Sequence, residues 1–279
     1  MRDRMRLNRH GNARPIAWTT ALAVMTLAAA CGTTAPPPPA APPAAPIQQV
    51  APVPVSAAQR ARLPRSTTYT RLRGTPKDTA PFEPGNGHVT HPTQPQVVYA
   101  SPGGAPVGIL PTTSVGSPVW VPIVEEQPGW VRVLLPSRPN LSTGWIYAAG
   151  GGLRNAYSAY YVRIDLAAHQ LTVVKSDRSL GTWKVAIGAP STPTPPGRTF
   201  LLASLTPEHP TYSPRMLALG THSAVLQTFD GGPGTIGLHG WPDDSVFGQE
   251  ISHGCVRVPA PALRVLSHVP LGSAVVINP

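Results

Sequence analysis

The chain has 279 residues, 41% of them hydrophobic and 6% aromatic, with 37 prolines and a formal net charge of +10. That length allows one or two domains with a real core, while the proline load, far above an average usage of ~5%, calls for extended segments beside the folded ones. Five Arg against one Asp fall in the first thirty residues and the remaining surplus is scattered without a Lys/Arg-rich block, which argues against a nucleic-acid partner and favours an anionic wall or membrane surface.

Met1–Arg14 is an Arg-rich start, and Ile16–Ala30 is an apolar run shorter than the ~20 residues of a membrane span. It ends in Leu27-Ala28-Ala29-Ala30-Cys31-Gly32. Small residues before a single cysteine resemble a bacterial lipobox, so residues 1–31 are expected to be a signal peptide with Cys31 as the lipidated residue and a membrane anchor. The alternative is an ordinary secretory signal cleaved nearby; either way the protein is expected to be exported, to the outer face of the cytoplasmic membrane or the cell wall. With Cys31 in the leader, Cys255 is left as the lone mature thiol, and no disulfide is expected.

Residues 32–94 are expected to form a Pro/Ala-rich disordered tether. The run Pro36–Pro46 can form neither helix nor ladder and should extend as polyproline II at ~3.1 Å per residue. From 95 to 152, short apolar runs alternate with turn residues. Val97–Tyr99, Val107–Leu110, Val119–Val124, Trp130–Leu135 and Gly144–Tyr147 read as five strands. The segment GWVRVLLPSRPNLSTGWIYA resembles a bacterial SH3-like barrel, with Trp130 and Trp145 as core.

From residue 157 the pattern is again that of strands. Tyr160–Ser176 alternates as a hairpin with its turn around Ala167–His169. GTWKVAIG and RTFLLAS flank a TPTPP loop, Val225–Phe229 and Thr235–Leu238 are strand candidates, Ala262–His268 is helix-like, and Ala274–Ile277 closes the domain. The fold class is mostly β, with few helices.

Chemistry concentrates in GLHGWPDDSVFGQEISHGCVRVP, Gly237–Pro259. His239 and His253 lie sixteen and two positions before Cys255. A free thiol with pKa ~8.5 is only a few per cent ionised near neutral pH, so a nucleophilic cysteine needs a base, which an imidazole provides. Gly254 leaves the backbone N–H groups around Cys255 open to a carbonyl oxygen, as an oxyanion hole requires. Zinc ligation by His239, His253 and Cys255 has no CxxC or HExxH spacing behind it, and neither metal nor cofactor is expected.

The run H-G followed by S-H-G-C-V-R, with Thr192–Gly197 (TPTPPG) about 42 residues upstream of His239, resembles the signature of the L,D-transpeptidase catalytic domain, also called the YkuD domain. The resemblance covers residues 157–279 and implies a β-sandwich-like catalytic fold behind the SH3-like module. It implies Cys255 as nucleophile and His239 as general base, oriented by a backbone carbonyl in place of Asp230, Asp243 or Asp244. His253 would shape the site, or exchange roles with His239. Ser252 would bond within the loop, and Gly254 and Cys255 would offer oxyanion donors. Arg257 would take a substrate carboxylate or make a structural salt bridge. Gly240 belongs to the binding rim, where the bulky Trp241 departs from the family pattern. His169, His209, His222 and His268 are expected at the surface. The implied function is 3→3 cross-linking of peptidoglycan stem peptides through a cysteine thioester, with carbapenem-type β-lactams as covalent inhibitors. An L,D-carboxypeptidase with the same site and a catalytically silent wall-binding lipoprotein are the alternatives.

Overall fold

A computed structural model of the chain describes residues 48–209, 211–229 and 231–279. The expected signal peptide, Cys31 and the first part of the expected tether lie outside the described residues.

Two large sheets carry most of the described chain, beside two short two-stranded ribbons. The first contains β1 (His88–Pro92), β2 (Gln96–Tyr99), β3 (Pro106–Leu110), β4 (Val121–Gln127), β5 (Trp130–Leu134), β6 (Thr143–Tyr147) and β7 (Leu153–Tyr157), in the order β3-β2-β6-β5-β4-β1-β7. The second contains β8 (Tyr160–Asp165), β9 (Gln170–Lys175), β10 (Arg178–Lys184), β11 (Gly197–Leu205), β12 (Met216–His222), β13 (Thr235–Gly240), β14 (Val256–Val258) and β15 (Ala274–Asn278). Its order is β10-β9-β8-β15-β11-β12-β13-β14, and a short helix, α2 (Ala260–Leu266), packs its buried Ala262, Leu263 and Leu266 into the same core. The chain is mostly β.

The hairpin β8–β9 shows why alternation builds the second core. Val162 faces Val173 and Ile164 faces Leu171 across the ladder, and all four are fully buried. Each such side chain contributes roughly 1.5–3 kcal/mol by leaving water. Strand β11 is buried on both faces, so its successive residues feed different cores. Leu201 joins the core of the second sheet, while Phe200 and Leu202 join that of the first. The two sheets therefore share a strand's worth of packing.

Three expectations need correction. Residues 48–94 are not a free tether. Val55 and Leu63, on either side of α1 (Ala57–Arg62), pack with Tyr99, Trp130 and Trp145, and the Trp130 indole N–H donates to the Val50 carbonyl at 2.7 Å. Further along, Leu72 is buried in the core of the first sheet, and the backbone of Ser66, Leu72 and Asp78 donates to the carbonyls of Ile109, Arg138 and Leu141. The segment is a strap tied to the sheet and its loops by these backbone bonds, and β1 and β7 extend that sheet beyond 95–152. Val225–Phe229 is no strand: Val225 and Phe229 are exposed, and the stretch has only an isolated bridge from Phe229 to Gly232. The antiparallel neighbour of β13 is β12, MLALGTH, whose last four residues are continuously buried.

His222, expected at the surface, is fully buried at the end of β12. Burial first and the nearby Arg138 second push its pKa down to about 4, with the Thr68 backbone opposing part of this. Its ordinary value is 6.5, so the unfolded chain takes up the proton first as pH falls. The stability that His222 contributes is complete above pH ~6.5 and drains away as pH falls toward ~4, by up to ~3 kcal/mol. Urea denaturation from pH 7 to pH 4 should show this slope, and a His222→Gln variant should flatten it.

Candidate active site

Cys255 lies at the entry to β14, which runs parallel to β13 with Leu238 opposite Val256 and His239 opposite Arg257. Opposed residues of a parallel pair project to the same face, and a step of two along either strand keeps that face. His239, Arg257 and Cys255 accordingly line one cavity of about 580 Å³. Gly237 sits opposite the sulfur and donates its N–H to Sγ at 3.4 Å.

The loop that carries the cysteine is held from outside by the upstream proline-rich motif. Thr192 Oγ1 donates to the Ser252 carbonyl at 2.9 Å, which also accepts the Ala189 N–H at 2.8 Å. Thr194 Oγ1 donates to the Gly254 carbonyl at 2.8 Å and accepts the Gly188 N–H at 2.9 Å. Ser252 Oγ in turn donates to the Cys255 carbonyl and accepts the Gly254 N–H at 3.1 Å. Gly254 has φ +113°, and a Cβ there would stand 2.9 Å from Ile236 Cδ1, so only glycine fits. The two sequence motifs are thus two sides of one clamp.

This corrects the expected oxyanion donors. The Gly254 N–H is committed to Ser252 Oγ, so it is not open to a substrate oxygen. The Cys255 N–H takes no part in the clamp. Gly240 also departs from its expected part: it is buried, its N–H donates to Ser213 Oγ at 2.7 Å, and its carbonyl bonds His239 Nδ1 at 2.9 Å. Gly240 holds the imidazole from below, with both of its polar backbone groups in use.

A carbonyl can only accept, so Nδ1 of His239 carries the proton and Nε2 is left as the basic nitrogen. Burial lowers the His239 pKa, the Gly240 hydrogen bond opposes this, and Arg257 adds to the lowering. Burial also raises the Cys255 pKa, partly opposed by the Gly237 N–H and by Arg257. Both shifts favour the neutral forms, a thiol and an imidazole, on the wall of one cavity. Asp243 and Asp244 are exposed, and Asp243 spends its carboxylate on the Ser245 N–H; Asp230 lies outside the described residues.

Arg257 stacks on Trp241, with its guanidinium carbon 3.6 Å from the ring centroid. The departure at Trp241 thus supplies a platform that orients the guanidinium toward the cavity rim. His253 is exposed, with its ring 4.9 Å from that of Phe229. Tyr212, whose ring meets His239 edge-on at 5.1 Å, and the strap residues Thr68 and Tyr69 complete the walls. Sequence reasoning missed these three because each sits in a stretch without periodicity. Among the described residues, no group of three or more His, Cys, Asp or Glu is arranged to hold a metal ion.

The family-model comparison falls on the segment that holds the site. Residues 159–277 match the family model of the L,D-transpeptidase catalytic domain, YkuD. The chain is 26% identical over 152 residues to the YkuD protein of Bacillus subtilis (strain 168), covering 52% of this chain and 84% of that one. It is 26% identical over 154 residues to the corresponding protein of Bacillus licheniformis, covering 53% and 86%. Among solved structures it resembles L,D-transpeptidase 3 from Mycobacterium tuberculosis carrying a faropenem-derived adduct, at 14% identity and a TM-score of 0.37, over 51% of this chain and 75% of that one. It also resembles an L,D-transpeptidase from Mycobacterium smegmatis, at 18% identity and a TM-score of 0.35, over 58% and 100%. Residues 159–277 of this chain thus match the family model of the L,D-transpeptidase catalytic domain, and the curated relatives and solved structures that resemble the chain are L,D-transpeptidases.

Proposed function

We propose that the protein is an exported peptidoglycan L,D-transpeptidase that forms 3→3 cross-links through a thioester on Cys255. The observation that carries this reading is the shared face of β13 and β14, which turns Cys255, His239 and Arg257 into one cavity. With thiol and imidazole both neutral at rest, the Sγ proton passes to His239 Nε2 as sulfur attacks the carbonyl of the third stem residue. The Cys255 N–H receives the oxyanion. Collapse expels the terminal D-alanine, whose nitrogen takes the proton back from His239. The side-chain amine of a second stem then attacks the thioester, with His239 again relaying the proton, and the free thiol returns. Arg257 on its Trp241 platform suits a carboxylate of the stem. The leader ending at Cys31 would anchor the enzyme at the membrane, facing the wall.

The test is mass spectrometry of disaccharide-tetrapeptide incubated with the purified protein. Loss of D-alanine with a 3→3 dimer is the expected result. Tripeptide without dimer would make water the acceptor and the enzyme a carboxypeptidase. A carbapenem should add its mass to the Cys255 peptide; no product and no adduct would leave the binding-only lipoprotein as the reading.

A further inference from the structure

The loop between β12 and β13 has little of its own to hold it. Its large apolar residues Val225 and Phe229 are exposed, and its internal bonds are few: the Ser223 N–H to the Gly234 carbonyl, Ser223 Oγ to the N–H groups of Val225 and Leu226, and the bridge from Phe229 to Gly232. The loop nonetheless borders the cavity, and its Phe229 ring lies against His253. What holds it comes from the connection between β5 and β6. Arg138 donates to four loop carbonyls: Nη1 to Ser223 at 3.1 Å, and Nη2 to Pro233 at 2.6 Å, Gln227 at 3.4 Å and Leu226 at 3.5 Å. Two residues on, Asn140 grips the base of the loop, accepting the His222 N–H at 3.0 Å and donating to the His222 carbonyl at 2.7 Å. Arg138 is itself fixed, since its backbone N–H and carbonyl bond Thr70 and Leu72 of the strap.

We propose that Arg138 is a positioning residue of the active site: it holds the 223–234 loop in the form that lays Phe229 against His253 and so shapes the wall on which a stem peptide binds. The proposal rests on the transpeptidase reading above. A planar guanidinium can reach both limbs of the loop at once, which a point charge does less well. Arg138 touches neither the thiol nor the imidazole, so its loss acts on substrate binding more than on the chemical step.

Hydrogen exchange and steady-state kinetics on Arg138→Ala, Arg138→Lys and Phe229→Ala test this. In Arg138→Ala, exchange at 223–229 and 231–234 should rise about tenfold or more while β11 and β15 stay protected. KM for the stem peptide should rise on the order of tenfold with kcat changed less than about threefold. Arg138→Lys should recover part of both effects. Phe229→Ala should reproduce the KM rise with the exchange of the loop's other residues unchanged, which keeps the test informative if Arg138→Ala folds poorly. Unchanged loop exchange and KM in Arg138→Ala would overturn the proposal, as would a loss spread evenly over kcat and over exchange throughout the second sheet. If the wild-type protein turns over no stem peptide, the functional reading fails on its own, and the exchange data still judge whether Arg138 holds the loop.

Discussion

Replacing Cys255 by alanine is expected to abolish turnover and carbapenem adduct formation, whereas His239→Gln should leave a slow reaction with a changed pH profile. Removing a general base costs typically ~10²–10⁴ in rate, and removing a nucleophile more. The pKa of His239 is lowered by burial, so the acid limb of kcat/KM in the wild-type protein should fall below pH 6.5, the ordinary histidine value. Without that base, attack must wait for spontaneous ionisation of Cys255, whose own pKa is raised by burial. The rate of His239→Gln should therefore climb with pH through the whole neutral and mildly alkaline range, where the wild-type rate is flat. The double variant should be no worse than Cys255→Ala, because residues that act as one unit do not add. A His239→Gln enzyme with the wild-type pH profile would remove His239 from the proton relay and turn attention to His253.

How much of this was legible in the sequence depends on what kind of force holds each part. The hairpin β8–β9 and strands β13 and β15 were readable because alternating or continuous apolar runs are themselves the driving force. The loop Val225–Phe229 was misread for the same reason: its apolar residues look like a strand, yet they have no ladder to join and stay exposed. At the site, the resemblance to the L,D-transpeptidase signature pointed to Cys255, His239, His253 and Arg257, and all four line one cavity. The commitment of the Gly254 N–H to Ser252 was hidden, because a loop serine has several backbone partners within reach and sequence does not choose among them. The strap was hidden more deeply. It is held by single backbone bonds, by scattered apolar anchors such as Leu72 and by one buried charge, and none of these leaves a period to read.

That buried charge gives a large expected stability effect. Asp78 is a polar residue in a proline-rich stretch, and as part of a tether its replacement would change stability by no more than about 0.5 kcal/mol. In the fold its carboxylate is fully buried and meets the Arg198 guanidinium in a two-point pair, Nη2 to Oδ1 at 2.6 Å and Nε to Oδ2 at 2.9 Å, with Arg198 only 5% exposed. Arg198 follows Gly197 at the start of β11, directly after the motif that clamps the cysteine loop. Asp78→Ala strands a buried cation whose other bond is to the Glu83 carbonyl, and such breakage costs roughly 3–5 kcal/mol. Urea denaturation should show that loss, while Glu83→Ala, which keeps the carbonyl, should stay within about 0.5 kcal/mol. Adding Arg198→Met to Asp78→Ala should recover part of the loss, because the unpaired charge goes with it. If Asp78→Ala instead unfolds at the wild-type urea midpoint, the strap carries no weight and the catalytic domain stands without it. The expected loss would make residues 48–94 part of the folded enzyme, so that a truncation at residue 95 removes the partner of Arg198 from beneath the clamp.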